Sequence, residues 1–338
     1  MKMREKITIH EVARKAGVSV ATVSRVYNNS NLVTEPTKEL VRQVAAKLRY
    51  TPSVSARNLS KRSTETIGLL LPDMHGEFFS EIIRGADSVA REYQYHLLVS
   101  SSHSNKEELF SAIRTMDGRV DGLAIMSPHL DGEILNHHAL QVIPTVVMSA
   151  SKQVALHDTV KVDNLGGAKQ VIKHLLEKGH RKIALIKGES GNEDSEERFI
   201  GCLKTMKGAG LTFIKEYILD GDFTDTSGYT VAADLLKRRE RPTAIFAFND
   251  EMAIGVLRLL REKGLKVPAD IAVAGFDDIQ ISKLIHPSLT TVHVNISELG
   301  SRSIKLILKK LNSEKEREKH LHLLLPAYLI VRDSTRKQ

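Results

Sequence analysis

The sequence predicts an α/β protein that carries an all-α head at its N-terminus. From Thr66 onward, short apolar segments alternate with amphipathic helical segments, which is typical of parallel sheets covered by helices. The first fifty residues show helical periodicity without that alternation. A length of 338 residues accommodates two or three domains.

The positive charge of the chain is concentrated in its first fifth. Residues 1–62 hold 13 Lys and Arg residues against 4 Asp and Glu residues, a net charge of +9, whereas the remaining residues have a net charge of −1. A small basic module on a near-neutral body indicates a polyanionic partner at one end. Charge alone leaves open a basic tail that contacts nothing specific.

The head contains three short helices separated by tight turns. Thr8 and Glu11 have the spacing of a capping box, and Gly17 ends the first helix because glycine tolerates a positive φ. Ser19 can cap the second helix, and Pro36 suits the first turn of the third. A helix, a tight turn and a second short helix form the helix-turn-helix pattern.

The segment from Thr8 to Ser19, followed by residues 21–26, resembles the headpiece of the lactose-repressor (LacI/GalR) family, which has a lambda-repressor-like fold. The resemblance implies that the helix from Ser19 to about residue 28 lies in the DNA major groove. Base contacts are expected from Val20, Ala21 and Arg25. Side chains suited to phosphate contacts are Thr22, Ser24, Asn28 and Tyr50. Packing on the helix surface is an open alternative for Thr22 and Ser24.

Residues 53–64 follow the predicted head, which spans residues 1–52, and have the composition of a linker. By resemblance they form a hinge helix that folds when two copies meet over the minor groove. Ala56 and Leu59 are then DNA-contacting residues, and Leu59 matches an apolar wedge that kinks the duplex. Because one recognition helix reads a half-site, we expect a homodimer on a pseudo-palindromic double-stranded operator.

The body, residues 65–338, alternates predicted strands with predicted helices. Strands are expected at residues 67–71, 96–100, 122–126, 145–148, 159–162, 182–186, 244–248, 271–275 and 290–294. Helices are expected at residues 78–93, 105–116, 164–178, 195–209, 227–238, 250–263 and 296–311. So many strands require two sheets, and ligands of open α/β sheets bind beyond the carboxyl ends of the strands.

Aromatic, amide and charged side chains follow these strand ends and are expected to converge on one cleft. Aromatic faces suit the apolar side of a sugar or a base, and Arg, Asn and Asp suit hydroxyl or carboxylate groups. A core position is an alternative for Phe78, and Asp250 is expected to cap a helix. The residues assigned to effector binding are Phe78, Phe79, Ser127, Asp194, Arg198, Phe223, Asn249 and Asp277.

The family resemblance covers nearly the whole chain and implies a periplasmic-binding-protein-like body of two lobes that the chain crosses three times. Lobe 1 is expected at about 65–162 and 295–322, and lobe 2 at about 163–292 and 323–338.

Many sugar-responsive members carry an Asp-Arg pair after the fourth strand, where this chain has Ser149-Ala150-Ser151. This departure puts one sugar-hydroxyl contact in doubt.

Several other classes of protein lack support in the sequence. No run of about 18 apolar residues indicates a membrane span, and the single cysteine, Cys202, fits a reducing cytoplasm. No phosphate-binding loop, dinucleotide fingerprint or Ser-centred nucleophile elbow is present. The histidine pairs lack partners at metal-ligand spacing. We therefore expect no catalytic residues, no cofactor and no metal.

The sequence thus predicts a DNA-binding repressor whose operator affinity depends on a small effector, a sugar or sugar derivative, bound between two lobes. One alternative is a catabolite-control-type regulator that uses a phosphocarrier protein as corepressor. Another is an α/β enzyme with a DNA-binding head, against which the absence of a catalytic constellation argues. The effector, the operator and the sign of the response are left open.

Overall fold

The computed structural model describes residues 7–27, 31–51, 63–127, 132–149, 157–312 and 320–336. The chain divides into two compact units, Met1–Thr64 and Glu65–Gln338. The division falls where the predicted hinge segment ends, and most of that segment lies outside the described residues.

The first unit consists of three helices, α1 (Ile9–Ala16), α2 (Val20–Tyr27) and α3 (Glu35–Leu48). At the start of α1, the backbone N–H of Thr8 donates to Glu11 Oε2 at 2.9 Å, and Gly17 ends the helix at φ 66°. The backbone N–H of Thr22 donates to Ser19 Oγ at 3.1 Å, which confirms the predicted cap of α2. The three helices bury a small apolar core made of Val12, Ala13, Ala16, Val23, Val26, Val33, Val41 and Ala45.

In the second unit, the described residues form two six-stranded sheets. The strands of the first sheet are β1 (Thr66–Leu71), β2 (His96–Ser101), β3 (Gly122–Met126), β4 (Thr145–Met148), β5 (Asp158–Val162) and β11 (His322–Leu325). They are parallel throughout, in the order β11-β5-β4-β3-β1-β2. Three of its strands, β1, β3 and β4, are almost entirely apolar, as expected for a sheet covered on both faces.

The second sheet contains β6 (Ile183–Lys187), β7 (Ile218–Asp220), β8 (Ala244–Ala247), β9 (Ala272–Asp277), β10 (Thr290–Val294) and β12 (Ala327–Ile330). Its order is β12-β10-β9-β8-β6-β7, and β12 alone runs antiparallel to its neighbour. The chain passes between the two sheets three times, after β5, after β10 and after β11. These crossings define two lobes.

The helices of the second unit pack on the sheets and on each other. They are α4 (Gly76–Glu92), α5 (Lys106–Met116), α6 (Gly132–Leu135), α7 (His138–Val142), α8 (Asn164–Glu177), α9 (Glu193–Gly208), α10 (Asp225–Leu236), α11 (Asp250–Glu262) and α12 (Ile296–Asn312). The extensively packed pairs are α4 with α12, α8 with α9, and α10 with α11. In the described ranges, no helix is both long and apolar enough to cross a membrane.

All nine strands and seven helices predicted for the body are present, each ending within two residues of its predicted limits. The list of predicted elements omitted α6, α7, β7, β11 and β12, which are three to five residues long and too short to show a clear period. One boundary needs correction. Residues 323–325 were assigned to lobe 2, but β11 pairs with β5, so lobe 1 extends through Leu325.

Candidate functional site

A cavity of about 130 Å³ lies between the two lobes, at the carboxyl ends of the strands. Lobe 1 lines it with Pro72, His75, Phe78, Phe79, Met126, Ser127 and Ser149. Lobe 2 lines it with Asn192, Glu193, Asp194, Arg198, Phe223, Asn249, Glu251 and Asp277. The eight residues that the sequence assigned to effector binding are therefore brought together in one place. Their contact with an effector stays a prediction.

Aromatic rings from both lobes form the apolar part of the cavity. Phe78 and Phe79 open α4 and stand edge to face, with their ring centroids 5.4 Å apart. From the other lobe, Phe223 follows β7 at φ 70° and its ring lies directly against Gly188. A Cβ atom at residue 188 would lie 1.9 Å from that ring, so only glycine lets the ring occupy this place. Phe78 is half-buried, packs against the hydrophobic core and also lines the cavity, so its contact with an effector and its role in the core both stay predictions.

Arg198 provides the positive charge of the cavity and is held by protein atoms on several sides. Its Nε donates to Asn164 Oδ1 at 2.8 Å, and its Nη1 donates to the carbonyl oxygen of Phe248. The guanidinium lies over the Phe276 ring, 3.8 Å from the centroid. Such packing fixes the orientation of an otherwise flexible cation.

Asp277 faces this arginine from the end of β9. Its Oδ1 lies 3.5 Å from Arg198 Nη2, and the residue is 5% exposed at φ 110°. Burial raises the pKa of Asp277 well above its ordinary value, and the opposing effect of Arg198 does not cancel it. Among the described residues, Asp277 Oδ1 is a buried oxygen with no hydrogen-bond donor. A buried acceptor in this state favours a ligand that donates to it.

Asp194 is the second carboxylate of lobe 2 near the arginine. Its Oδ1 accepts a hydrogen bond from Asn164 Nδ2 at 2.7 Å, so Asn164 bridges Asp194 and Arg198. Burial raises the pKa of Asp194, whereas Arg198 and the hydrogen bond from Asn164 act in the opposite direction. Asn164 does not line the cavity, and the sequence analysis missed its role because its partners are 30 and 34 residues away.

Asn249, and not Asp250, caps the start of α11. Asn249 is the N-cap, since its Oδ1 accepts from the backbone N–H of Met252 at 3.0 Å. Its Nδ2 donates to the carbonyl oxygen of Phe223 at 2.8 Å and so holds the loop that carries the aromatic ring. The expectation that Asp250 caps the helix was wrong, because its side chain points inward and is fully buried.

The predicted DNA-contacting residues of the head fall into two groups. Ala21 and Arg25 are exposed on α2, as direct readers of bases must be. Val20 is half-buried against the core of the head, and the Thr22 hydroxyl lies 2.9 Å from Ser19 Oγ. Ser24 is half-buried, and Tyr50 packs its ring edge to face with Tyr27 at 5.9 Å. Three of the assigned residues, Asn28, Ala56 and Leu59, lie outside the described residues.

Comparisons with known proteins agree with this architecture. Residues 8–53 match the model of bacterial regulatory proteins of the lacI family, and residues 172–335 match a periplasmic binding protein-like domain. The HTH-type transcriptional repressor PurR of Vibrio vulnificus (strain CMCP6) is 35% identical over 334 residues, which is 98% of this chain and 99% of the relative. The chain belongs to the LacI family.

Other members of the LacI family resemble the chain over most of its length. Catabolite control protein A of Priestia megaterium is 32% identical over 91% of this chain and 93% of its own. A lac repressor dimer bound to operator and the anti-inducer ONPF is 29% identical, with a TM-score of 0.84, covering 98% of this chain and all of its own. These matches confirm the predicted fold, and the chain is a DNA-binding transcriptional regulator of this family.

Several lining residues of this LacI-family cavity were not predicted from the sequence. Glu251, in the first turn of α11, and Asn192 and Glu193, at the start of α9, line the cavity because their helices begin at strand ends. Ser149, noted in the sequence only as a departure from an Asp-Arg pair, lines the cavity at φ 55°. Pro72, His75 and Met126 were also not assigned.

Proposed function

We propose that this protein is a transcriptional repressor whose operator affinity is controlled by a sugar or sugar derivative bound between the two lobes. The proposal depends on one observation. A cavity closed by both lobes contains a buried carboxylate oxygen, Asp277 Oδ1, that lacks a hydrogen-bond donor beside the Arg198 guanidinium. Because both lobes contribute to the cavity, a ligand there has different affinities for different lobe arrangements and can shift their equilibrium.

Similar structures support a ligand of this kind. One neighbour is a transcriptional regulator CelR–cellobiose complex, 29% identical with a TM-score of 0.74 over 97% of this chain and 99% of its own. Another holds the lac repressor dimer with its operator and an anti-inducer. By this likeness we propose a homodimer on a pseudo-palindromic operator, with Arg25 and Ala21 reading bases and Leu59 acting as a minor-groove wedge.

The proposal is tested by replacing the carboxyl group of Asp277 with an amide of nearly the same shape. Operator binding of wild type and Asp277→Asn is followed by fluorescence anisotropy while sugars, amino sugars and purines are titrated. We expect Asp277→Asn to bind operator normally and to need on the order of a hundredfold more effector, because a buried charged anchor contributes a few kcal/mol. Asp117→Asn, which changes an exposed carboxylate outside the cavity, is the matched control. Switching of Asp277→Asn at the wild-type concentration would refute the cavity assignment.

A protein corepressor is the second candidate, favoured by the match to Catabolite control protein A over 91% of this chain. In that case a phosphocarrier protein, added to the same anisotropy assay, raises operator affinity without any small molecule. We further propose that the protein acts in the cytoplasm and has no catalytic activity of its own. Incubation with candidate sugars followed by product analysis tests the last point, since any turnover contradicts it.

A further inference from the structure

Two glutamates reach across the cleft from one lobe to the other. Glu77, in the first turn of α4, belongs to lobe 1, and its Oε1 accepts a hydrogen bond at 2.5 Å from the backbone N–H of Gln280 in lobe 2. Glu251, in the first turn of α11, belongs to lobe 2 and extends to the start of α4 in lobe 1. The two contacts therefore cross the same cleft in opposite directions.

The contact of Glu251 with lobe 1 depends on a glycine. A Cβ atom at residue 76 would lie 2.3 Å from Glu251 Oε1, so the carboxylate occupies space that any side chain at residue 76 would need. Gly76 has φ 86° and is the first residue of α4, a helix of 17 residues. A carboxylate beside the first turn of a helix interacts favourably with the helix dipole.

The contact of Glu77 with lobe 2 is made to a segment that is anchored within that lobe. The backbone N–H of Ile279, which precedes Gln280, donates to Asp250 Oδ2 at 3.0 Å, and Asp250 is fully buried. Asp250 also precedes Glu251 at the start of α11. The segment that Glu77 binds and the carboxylate that reaches lobe 1 therefore share one support.

In lobe 1, these contacts lie away from the segments that join the lobes. The chain passes between the lobes after β5, β10 and β11. Helix α4 follows β1, which is separated from β5 by β4 and β3, a distance of about 14 Å across the sheet. Because a rotation about the joining segments would move α4 away from lobe 2, contacts at the start of α4 oppose that rotation.

The two contacts differ in strength. Burial raises the pKa of Glu251, and the negative charges of Asp225 and Asp73 act in the same direction. His75 and the backbone of Glu77, both in lobe 1, act in the opposite direction but do not cancel these effects. We therefore expect the contact of Glu251 to be weaker than the hydrogen bond that Glu77 accepts.

We propose that Glu77 and Glu251 form a latch that holds the two lobes in the arrangement of this structure without the help of a ligand. The proposal goes beyond the proposed function, because the latch consists of protein atoms alone and sets the lobe arrangement on which any effector acts. Loss of either glutamate increases the fraction of molecules whose lobes have separated, so the two contacts depend on each other although they involve different atoms.

Residue-resolved hydrogen exchange by NMR on the full chain, without ligand, tests this dependence. In Glu77→Ala the N–H of Gln280 loses its acceptor, and we expect its exchange to accelerate about tenfold, the effect of one hydrogen bond to a charged group. Glu251→Ala leaves that hydrogen bond in place, yet it should accelerate the exchange of Gln280 several-fold, because the lobes separate more often. The N–H of Ile279, which is held within lobe 2, should keep its rate in both variants.

Glu92→Ala is the matched control, since Glu92 is exposed at the other end of α4, and it should change neither rate. Glu251→Gln, which keeps the size of the side chain, repeats the measurement with less disturbance of the fold. Exchange of Gln280 at the wild-type rate in both Glu251 variants overturns the proposal, because the two contacts then act independently. Equal acceleration at Gln280 and Ile279 also contradicts it, because lobe 2 itself is then loosened. Operator binding, measured in parallel, tests the proposed function separately.

Discussion

At the scale of single residues, burial raises the pKa of several carboxyl groups of the second lobe. Asp250 is fully buried, yet it accepts hydrogen bonds from the Ile279 backbone N–H at 3.0 Å, Ser282 Oγ at 2.7 Å and Thr291 Oγ1 at 2.5 Å. These bonds favour the charged form, but burial is the larger effect and raises the pKa of Asp250 from 3.8 to about 7. The group therefore titrates near neutral pH.

The raised pKa of Asp250 predicts how stability changes with pH. The folded protein binds this proton more tightly than the unfolded chain does, so the free energy of unfolding falls as pH rises from about 4 to about 7. The loss from this group is on the order of 4 kcal/mol over that range. We expect Asp250→Asn to show a smaller fall, with the remainder coming from Asp277, Asp194 and Glu251, whose pKa values are also raised.

Urea denaturation followed by circular dichroism at several pH values between 4 and 8 measures this difference. The variant loses some hydrogen bonding at every pH, because an amide has a single acceptor oxygen. The prediction is therefore tested by the slope of the free energy of unfolding against pH, and not by its absolute value. If the free energies of unfolding of wild type and Asp250→Asn change with pH in parallel, Asp250 is not a source of the pH dependence.

At the scale of elements, the shape of the cavity depends on contacts between the residues that follow neighbouring strands. Gly188 follows β6, its backbone N–H donates to Ser195 Oγ at 3.0 Å, and the Phe223 ring lies against it. Asn249, which follows β8, donates a hydrogen bond to the carbonyl oxygen of Phe223 and so holds the loop after β7. Three neighbouring strand ends thus set the position of one aromatic ring.

We predict that Gly188→Ala displaces the Phe223 ring and weakens the response to effector about tenfold or more. The added methyl group also overpacks the site and lowers the free energy of unfolding by about 1 to 3 kcal/mol. Thermal unfolding and the operator assay measure the two effects. The double variant Gly188→Ala with Phe223→Ala should regain much of the lost stability, because the clash is removed.

The control for backbone effects is Gly208→Ala. Gly208 ends α9 with no atom within 4 Å of its Cβ position, so the substitution should be neutral or stabilise by less than about 1 kcal/mol. If Gly188→Ala behaves like Gly208→Ala in both assays, the ring is not held by its contact with residue 188.

At the scale of the whole molecule, the end of the basic N-terminal segment nearly coincides with the boundary between the two compact units. Residues 1–62 have a net charge of +9, and the compact units separate at Thr64 and Glu65. Within the second unit, polar contacts join the lobes. Lys161 Nζ lies 2.5 Å from Glu197 Oε1, and the Gln280 backbone N–H donates to Glu77 Oε1 at 2.5 Å.

We predict that a fragment of residues 65–338 folds and binds effector but does not bind DNA. The full chain should bind operator with an affinity that falls steeply as salt concentration rises, because association releases counterions from DNA. Circular dichroism, thermal unfolding with and without candidate effectors, and operator anisotropy at several salt concentrations measure these properties. Tight, salt-sensitive DNA binding by the fragment would show that the body carries its own polyanion site.

The sequence by itself determined the features that depend on local pattern. Helical spacing and caps such as Thr8 with Glu11 identify the head, and the alternation of strands and helices predicts both sheets of the body. The strand-end rule and the family resemblance together name eight residues of the cavity. All of these follow from neighbours in the chain, where the period of the backbone imposes the order of side chains.

Only the tertiary structure determined how deeply those eight residues are buried and which hydrogen bonds and ion pairs they make. Arg198 Nη2 lies 3.5 Å from Asp277 Oδ1 across 79 positions of the chain, and Arg198 donates hydrogen bonds to Asn164 and to the carbonyl oxygen of Phe248. That Asn249 caps α11 while Asp250 is buried also depends on distant partners. Burial and hydrogen-bond pairing are set by groups from several elements at once, because desolvation acts through space and not along the chain.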